Sequence, residues 1–110
     1  MQIVARPTED GVIFDISGDI DLANSPEMRK VLLGEIKGKH DRKVFLNLTN
    51  VRYIDSSGIA TLVEALKASR DNGGRLILYG LNLSVREVME LSRLQKIFEI
   101  YVTEEQAISS

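Results

Sequence analysis

The chain has 110 residues, 44% hydrophobic and 27% charged, enough for one domain with a real core and too few for two. It has no cysteine and one histidine, His40, so disulfides, thiolate metal sites and multi-histidine metal sites are excluded. No apolar run approaches the roughly 18 residues of a membrane span. Fourteen basic against sixteen acidic side chains give a net charge of −2, with 5% aromatics, a poor match to a nucleic-acid binder. The basic cluster Lys37, Lys39, His40, Arg42 and Lys43 has no interleaved stacking aromatics and reads as a solvated loop. Residues 1–6 lack the basic-then-apolar order of a signal peptide. The expectation is a single soluble, cytoplasmic domain over 1–110, with no membrane association.

Gln2 to Arg6 reads as an extended segment ending at Pro7. Val12, Phe14 and Ile16 alternate with Ile13, Asp15 and Ser17 at strand period, and Asp10-Gly11 supplies turn chemistry for a hairpin. Gly18 is expected to break the second strand. Ser25 as N-cap and Pro26 open a helix whose apolar stripe is Met28, Val31, Leu32 and Ile36, ending at Gly38. Val44 to Leu48 is a short buried strand, followed by a loop from Thr49 to Ser57. Ile59, Leu62, Val63 and Leu66 mark the next helix, stopped by Gly73-Gly74, and Leu76 to Tyr79 form another buried strand closed by Gly80. Ser84-Val85-Arg86-Glu87 has capping-box form, with Val85, Val88 and Met89 facing inward. Ile97 to Tyr101 is a last strand, and Thr103-Glu104-Glu105-Gln106 is a second capping box before a short C-terminal helix.

The order β-β-α-β-α-β-α-β-α indicates an α/β layer fold. Helical connections make the later strands parallel, and the hairpin adds one antiparallel strand. Sites in such sheets form outside the carboxyl ends of the parallel strands. Three loops then share a rim: Gly18 to Asn24, Asn50 to Gly58, and Gly80 to Asn82. Asp21, Ser56 and Asn82 meet there despite their separation in sequence.

Within that rim Asp55-Ser56-Ser57-Gly58 opens a helix. Asp or Ser at such a place can simply cap free backbone N–H groups. Two serines, an aspartate and a glycine exceed what one cap requires. The functional reading is that Ser56 offers its hydroxyl to a kinase. A phosphate there would face the positive end of the helix dipole and place about −1.5 to −2 charges beside Asp55.

Three segments together resemble the STAS domain of anti-sigma factor antagonists: Gly18-Asp19-Ile20-Asp21, Val44 to Leu48, and Tyr53-Ile54-Asp55-Ser56-Ser57-Gly58-Ile59. The resemblance covers nearly the whole chain and implies a small mixed β-sheet packed with helices. It implies a non-enzymatic partner switch without a cofactor of its own. The unphosphorylated form would bind an anti-sigma factor that is also a serine kinase, releasing a sigma factor. Phosphorylation would end that interaction, and a serine phosphatase would reset it. The phosphoacceptor maps to Ser56, and Asp21 to an acidic residue that helps kinase contact. Asp19, Asn24, Asp55, Ser57, Gly58 and Asn82 complete the expected partner surface, with Gly58 allowing close approach of a partner's backbone. Asp19 stands where the family often has Glu, and Ala60 where a second glycine often follows.

Other readings of the same residues stay open. The fold could serve as an interaction part of a transport or sensory assembly, with Ser56 only a cap. Asp19, Asp21 and Asp55 could form a Mg²⁺ pocket with Asp55 as acceptor, although a receiver begins β-α. A serine hydrolase would need His40 near Ser56 or Ser57, and the sequence places His40 at the other end of the sheet. Asn47 reads as structural, and Tyr53 as a loop anchor or, if exposed, an interface residue.

Overall fold

The computed structural model describes residues 1–39 and 42–110; His40, and with it the hydrolase base, lies outside the described residues. The elements are β1 (Gln2–Pro7), β2 (Gly11–Ile20), α1 (Ser25–Gly38), β3 (Lys43–Ile54), α2 (Ser56–Asp71), β4 (Arg75–Tyr79), α3 (Leu83–Leu91), β5 (Glu99–Tyr101) and α4 (Glu104–Ile108). Their order is the one the periodicities predict. The strands lie side by side in chain order, β1 antiparallel to β2 and the rest parallel.

Strand alternation sends neighbouring residues to opposite faces. Val12, Phe14, Val44, Leu46, Leu76 and Leu78 pack with Met28, Leu32 and Ile36 of α1, Ile59, Leu62 and Leu66 of α2, and Val85 and Met89 of α3. Ile13, Phe45, Ile77 and Tyr79 face the other way, where Ala107 of α4 joins them. That second face also holds a polar cluster. Arg6 of β1 makes a paired contact with Asp15 of β2 at 2.5 and 2.8 Å and donates to Glu104 of α4 at 2.6 Å. Tyr79 donates to Glu104 at 2.7 Å, and Asn47 donates to Asp15 at 2.8 Å. Asn47 also accepts from the backbone N–H and hydroxyl of Thr49, so its role is structural. The Arg6 guanidinium holds the Asp15 and Glu104 carboxyls below the usual carboxylate range. Burial first, then Glu104, pushes the Tyr79 hydroxyl up.

Boundaries differ from the sequence reading at places that shape the rim. Gly18 does not end β2. It sits at φ +93° beside register shifts in the β2–β3 pairing, where a bulge takes up an irregular residue that glycine tolerates. The strand therefore runs on to Ile20. β3 likewise continues through the expected loop, pairing Ser17 with Asn50 and Ile20 with Ile54. Its polar residues Thr49, Asn50 and Arg52 look loop-like, but Val51 and Ile54 are buried among them. β5 is shorter than expected, and Phe98 is buried just before it.

Cap assignments shift too. Asn24, not Ser25, precedes α1. Ser25 is buried, and its hydroxyl donates to the Asp21 carbonyl at 2.6 Å. Asn82, not Ser84, caps α3, accepting from Val85 N–H at 2.9 Å. At α4, Thr103 caps Gln106 N–H as expected, but Gln106 reaches back to Val102 N–H instead of Thr103.

Candidate functional site

Of the three expected loops, residues 21–24, Asp55 and residues 80–82 follow the carboxyl ends of β2, β3 and β4, and the rest is strand or the start of α2. Asp55 joins two of them. Its backbone is extended, which is usual for an N-cap, and one carboxylate oxygen accepts from Ser57 N–H at 2.9 Å and Gly58 N–H at 3.1 Å. Its other oxygen accepts from Leu22 N–H at 3.1 Å. Its own N–H donates to the Ile20 carbonyl. Asp55, not Ser56, thus caps α2, and Ser56 is exposed as the first helical residue.

The loop after β2 is built from its own polar groups. Asp21 accepts from Asn24 N–H at 3.0 Å with its side chain, and its carbonyl accepts from Ser25 N–H. The Asn24 amide donates to the Asp19 carbonyl at 3.1 Å. Asp19 pairs with Arg52 at 3.2 Å at the surface. On the third loop, the Asn82 amide donates to the Val51 carbonyl at 2.6 Å while its oxygen caps α3. Asn82 therefore locks α3 onto β3, next to the Ser56 loop, with both ends of its amide used inside the chain.

Gly58 is buried. A Cβ there would lie 2.6 Å from Ile54 Cγ1, 2.7 Å from Ile20 Cγ2 and 2.9 Å from the Ile20 carbonyl oxygen. The reason for glycine is the close seating of α2 on the ends of β2 and β3, which corrects the expectation that the space serves a partner's backbone. Ser57 is half-buried, and its carbonyl accepts from the Thr61 hydroxyl.

The carboxylates do not make a cation pocket. Asp55 faces three N–H donors, Asp21 caps its own turn, and Asp19 meets Arg52. Among the described residues no group of three or more His, Cys, Asp or Glu is arranged to hold a metal ion. Asp55, the acceptor that a receiver-like reading needs, is engaged as the cap of α2. A small cavity of about 140 Å³ lies at the other end of the sheet, lined by Thr8, Asp10, Lys43, Phe45 and Ile108 among others.

The structure adds residues that polarity alone did not single out. Leu22 is 74% exposed, Leu83 72% and Tyr53 49%, each on or beside one of the three loops. Nothing in the local sequence marks Leu22 as exposed, because its burial depends on how the loop sits on the sheet. Tyr53, by sequence a loop anchor or, if exposed, an interface residue, is exposed near the end of β3.

Comparison with known proteins accords with this geometry. Residues 2–107 match the STAS domain. A Thermotoga maritima protein is 31% identical over 91% of this chain and 88% of its own. A crystal structure from that organism superposes with a TM-score of 0.90 at 27% identity, covering 97% of this chain and 92% of the other. The anti-sigma-B factor antagonist of Staphylococcus epidermidis is 30% identical over 77% of this chain and 78% of its own. The fold also recurs within murine Slc26a9, an anion transporter, with a TM-score of 0.82 at 14% identity, over 94% of this chain and 18% of the transporter. Among the described residues, no helix is long and apolar enough to cross a membrane. With residues 2–107 matched and the sheet shared with these structures, the chain belongs to the STAS-domain family.

Proposed function

We propose that this chain is an anti-sigma factor antagonist whose partner choice is set by phosphorylation of Ser56. The observation that carries the reading is the separation of roles at the start of α2: Asp55 does the capping, and Ser56 stands exposed beside it. In the unphosphorylated state the rim binds an anti-sigma factor that is also a serine kinase, so that a sigma factor is set free. ATP and Mg²⁺ belong to that kinase, and a serine phosphatase restores the free hydroxyl. The chain acts in the cytoplasm and contacts neither nucleic acid nor membrane.

Phosphate on Ser56 acts at the surface. The Ser57 and Gly58 N–H groups already point at Asp55, so they are not free to draw the phosphate inward. Its charge of about −1.5 to −2 would add to the acidic rim of Asp19, Asp21 and Asp55. A docked partner would meet that repulsion together with the cost of desolvating the phosphate. A loss of about 3 kcal/mol corresponds to roughly a hundredfold weaker binding.

Two measurements test the switch. Peptide mass spectrometry after incubation with ATP and host lysate should find phosphate on Ser56 and none on Ser56→Ala. Ser56→Ala should bind the kinase with wild-type affinity and resist release, whereas Ser56→Asp should bind about a hundredfold more weakly. Equal affinities of the two variants would exclude the mechanism. Phosphate confined to Asp55 would favour receiver chemistry. No phosphate in the presence of a demonstrably active kinase would favour a constitutive interaction module, the role suggested by the shared fold within a transporter.

A further inference from the structure

We infer that Asp55 is a positioning residue that fixes Leu22 beside Ser56, so that the kinase reads an apolar anchor and the acceptor hydroxyl at a set spacing. The role rests on the phosphoswitch reading above and adds a recognition element to it. Leu22 is a large apolar side chain left 74% exposed within a polar loop. Its backbone N–H is held by the same carboxylate that caps the helix carrying Ser56. Around this bond the end of β2 meets the start of α2 at two more points. Asp55 N–H reaches the Ile20 carbonyl, and Gly58 lies flush against Ile20. The loop itself is already shaped by Asp21, Asn24 and Ser25. What the Asp55 bond adds is the relation of that loop to Ser56.

The carboxylate has a chemical property that separates this role from capping. Both of its oxygens accept. An asparagine keeps one oxygen, which serves the helix N–H groups, and replaces the other with an NH₂ that cannot accept from Leu22. A serine caps with its single hydroxyl and is too short to serve Leu22 at the same time. Asp55→Asn and Asp55→Ser should therefore retain the helix start and lose the tether. Asp55→Ala should lose both.

The experiment uses the full chain in two arms. In the first, amide exchange followed by NMR should show Leu22 N–H protected in the wild type. It should exchange at least about tenfold faster in Asp55→Asn, with the core strands unchanged. In the second, the lysate fraction that phosphorylates wild-type Ser56 is titrated with each variant. Asp55→Asn, Asp55→Ser and Leu22→Ala should raise KM by about tenfold with kcat nearly unchanged. The Asn and Ser variants should do so with melting temperatures close to wild type. A purely structural role for Asp55 would make KM follow melting temperature, with the Ala variant alone defective, and would overturn the assignment. So would an unprotected Leu22 amide in the wild type. Absence of phosphate on the wild type would instead overturn the phosphoswitch, and this role with it.

Discussion

Two polar regions of this domain use similar residues to opposite ends. At the rim, aspartate and asparagine side chains bond mainly to backbone groups: Asp55 to Leu22, Ser57 and Gly58, Asp21 to Asn24, Asn24 to Asp19 and Asn82 to Val51. On the α4 face, side chains bond mainly to one another, with Arg6 at the centre of Asp15, Glu104 and Tyr79. The first arrangement shapes the chain and leaves Ser56 and Leu22 facing outward. The second turns its charges on itself and fastens a five-residue helix, too short to be stable alone, to the sheet. At the rim the capping groups are satisfied by backbone while Ser56 stays exposed beside them.

The largest effect expected from breaking this contrast lies at Gly58. Gly58→Ala would improve helix propensity by about 1 kcal/mol, but its Cβ would meet Ile54 and Ile20 at 2.6 to 2.9 Å. Overpacking of this kind costs about 1–3 kcal/mol, and because the Ile20 carbonyl is backbone the upper part of that range applies. Urea unfolding should therefore show a lower midpoint with an unchanged m-value. A stabilised variant would mean that α2 has room to lift from the strand ends, and that the rim is not rigid.

Next is Arg6→Met, which keeps the aliphatic stem and removes the charge. At pH 7 it should destabilise the fold by about 1 kcal/mol, a modest figure because the pair is partly exposed and screened. Hydrogen exchange in α4 should rise before that in the central strands. The pH dependence has a definite sign. Asp15 and Glu104 have carboxyls held below their unfolded range by Arg6. Their contribution is thus present above about pH 4 and is lost as pH falls through the lower folded values. The gap between wild type and Arg6→Met should close in acid. A gap that stayed constant into acid would show that Arg6 does not act through the Asp15 and Glu104 carboxylates.

How much of each region could be read from the sequence follows from contact range. Asp55-Ser56-Ser57-Gly58 is contiguous, and the element order alone puts it on the rim with Asp21 and Asn82. The Arg6 cluster draws on residues from β1, β2, β3, β4 and α4, and no local pattern in Arg6 or Glu104 announces their meeting. It depends on strands lying in chain order and on α4 folding back over the face opposite α1, α2 and α3. The extension of β2 and β3 was obscured for a related reason. Register shifts in their pairing break the two-residue period, so by sequence Gly18 reads as a stop and Thr49 to Ile54 as a loop. Gly58 is plain in the sequence, but its cause is a contact with Ile20 that lies 38 positions earlier.

The smallest effect, and a sharp one for the contrast, is expected at Arg52. Its ion pair with Asp19 joins neighbouring strands at the rim, with the Arg52 side chain 77% exposed. Exposed pairs of this kind contribute little because water and salt screen them and the side chains lose freedom. Arg52→Ala should change stability by no more than about 0.5 kcal/mol. It should also leave Asp19 uncovered and make the rim more acidic, so any change in partner binding should shrink as salt is raised. Denaturation and binding titrations at two salt concentrations check both statements. If Arg52→Ala were as destabilising as Arg6→Met, rim charges would be holding the fold together as the α4-face charges do. If stability held while binding changed with salt, the rim charges would be facing a partner.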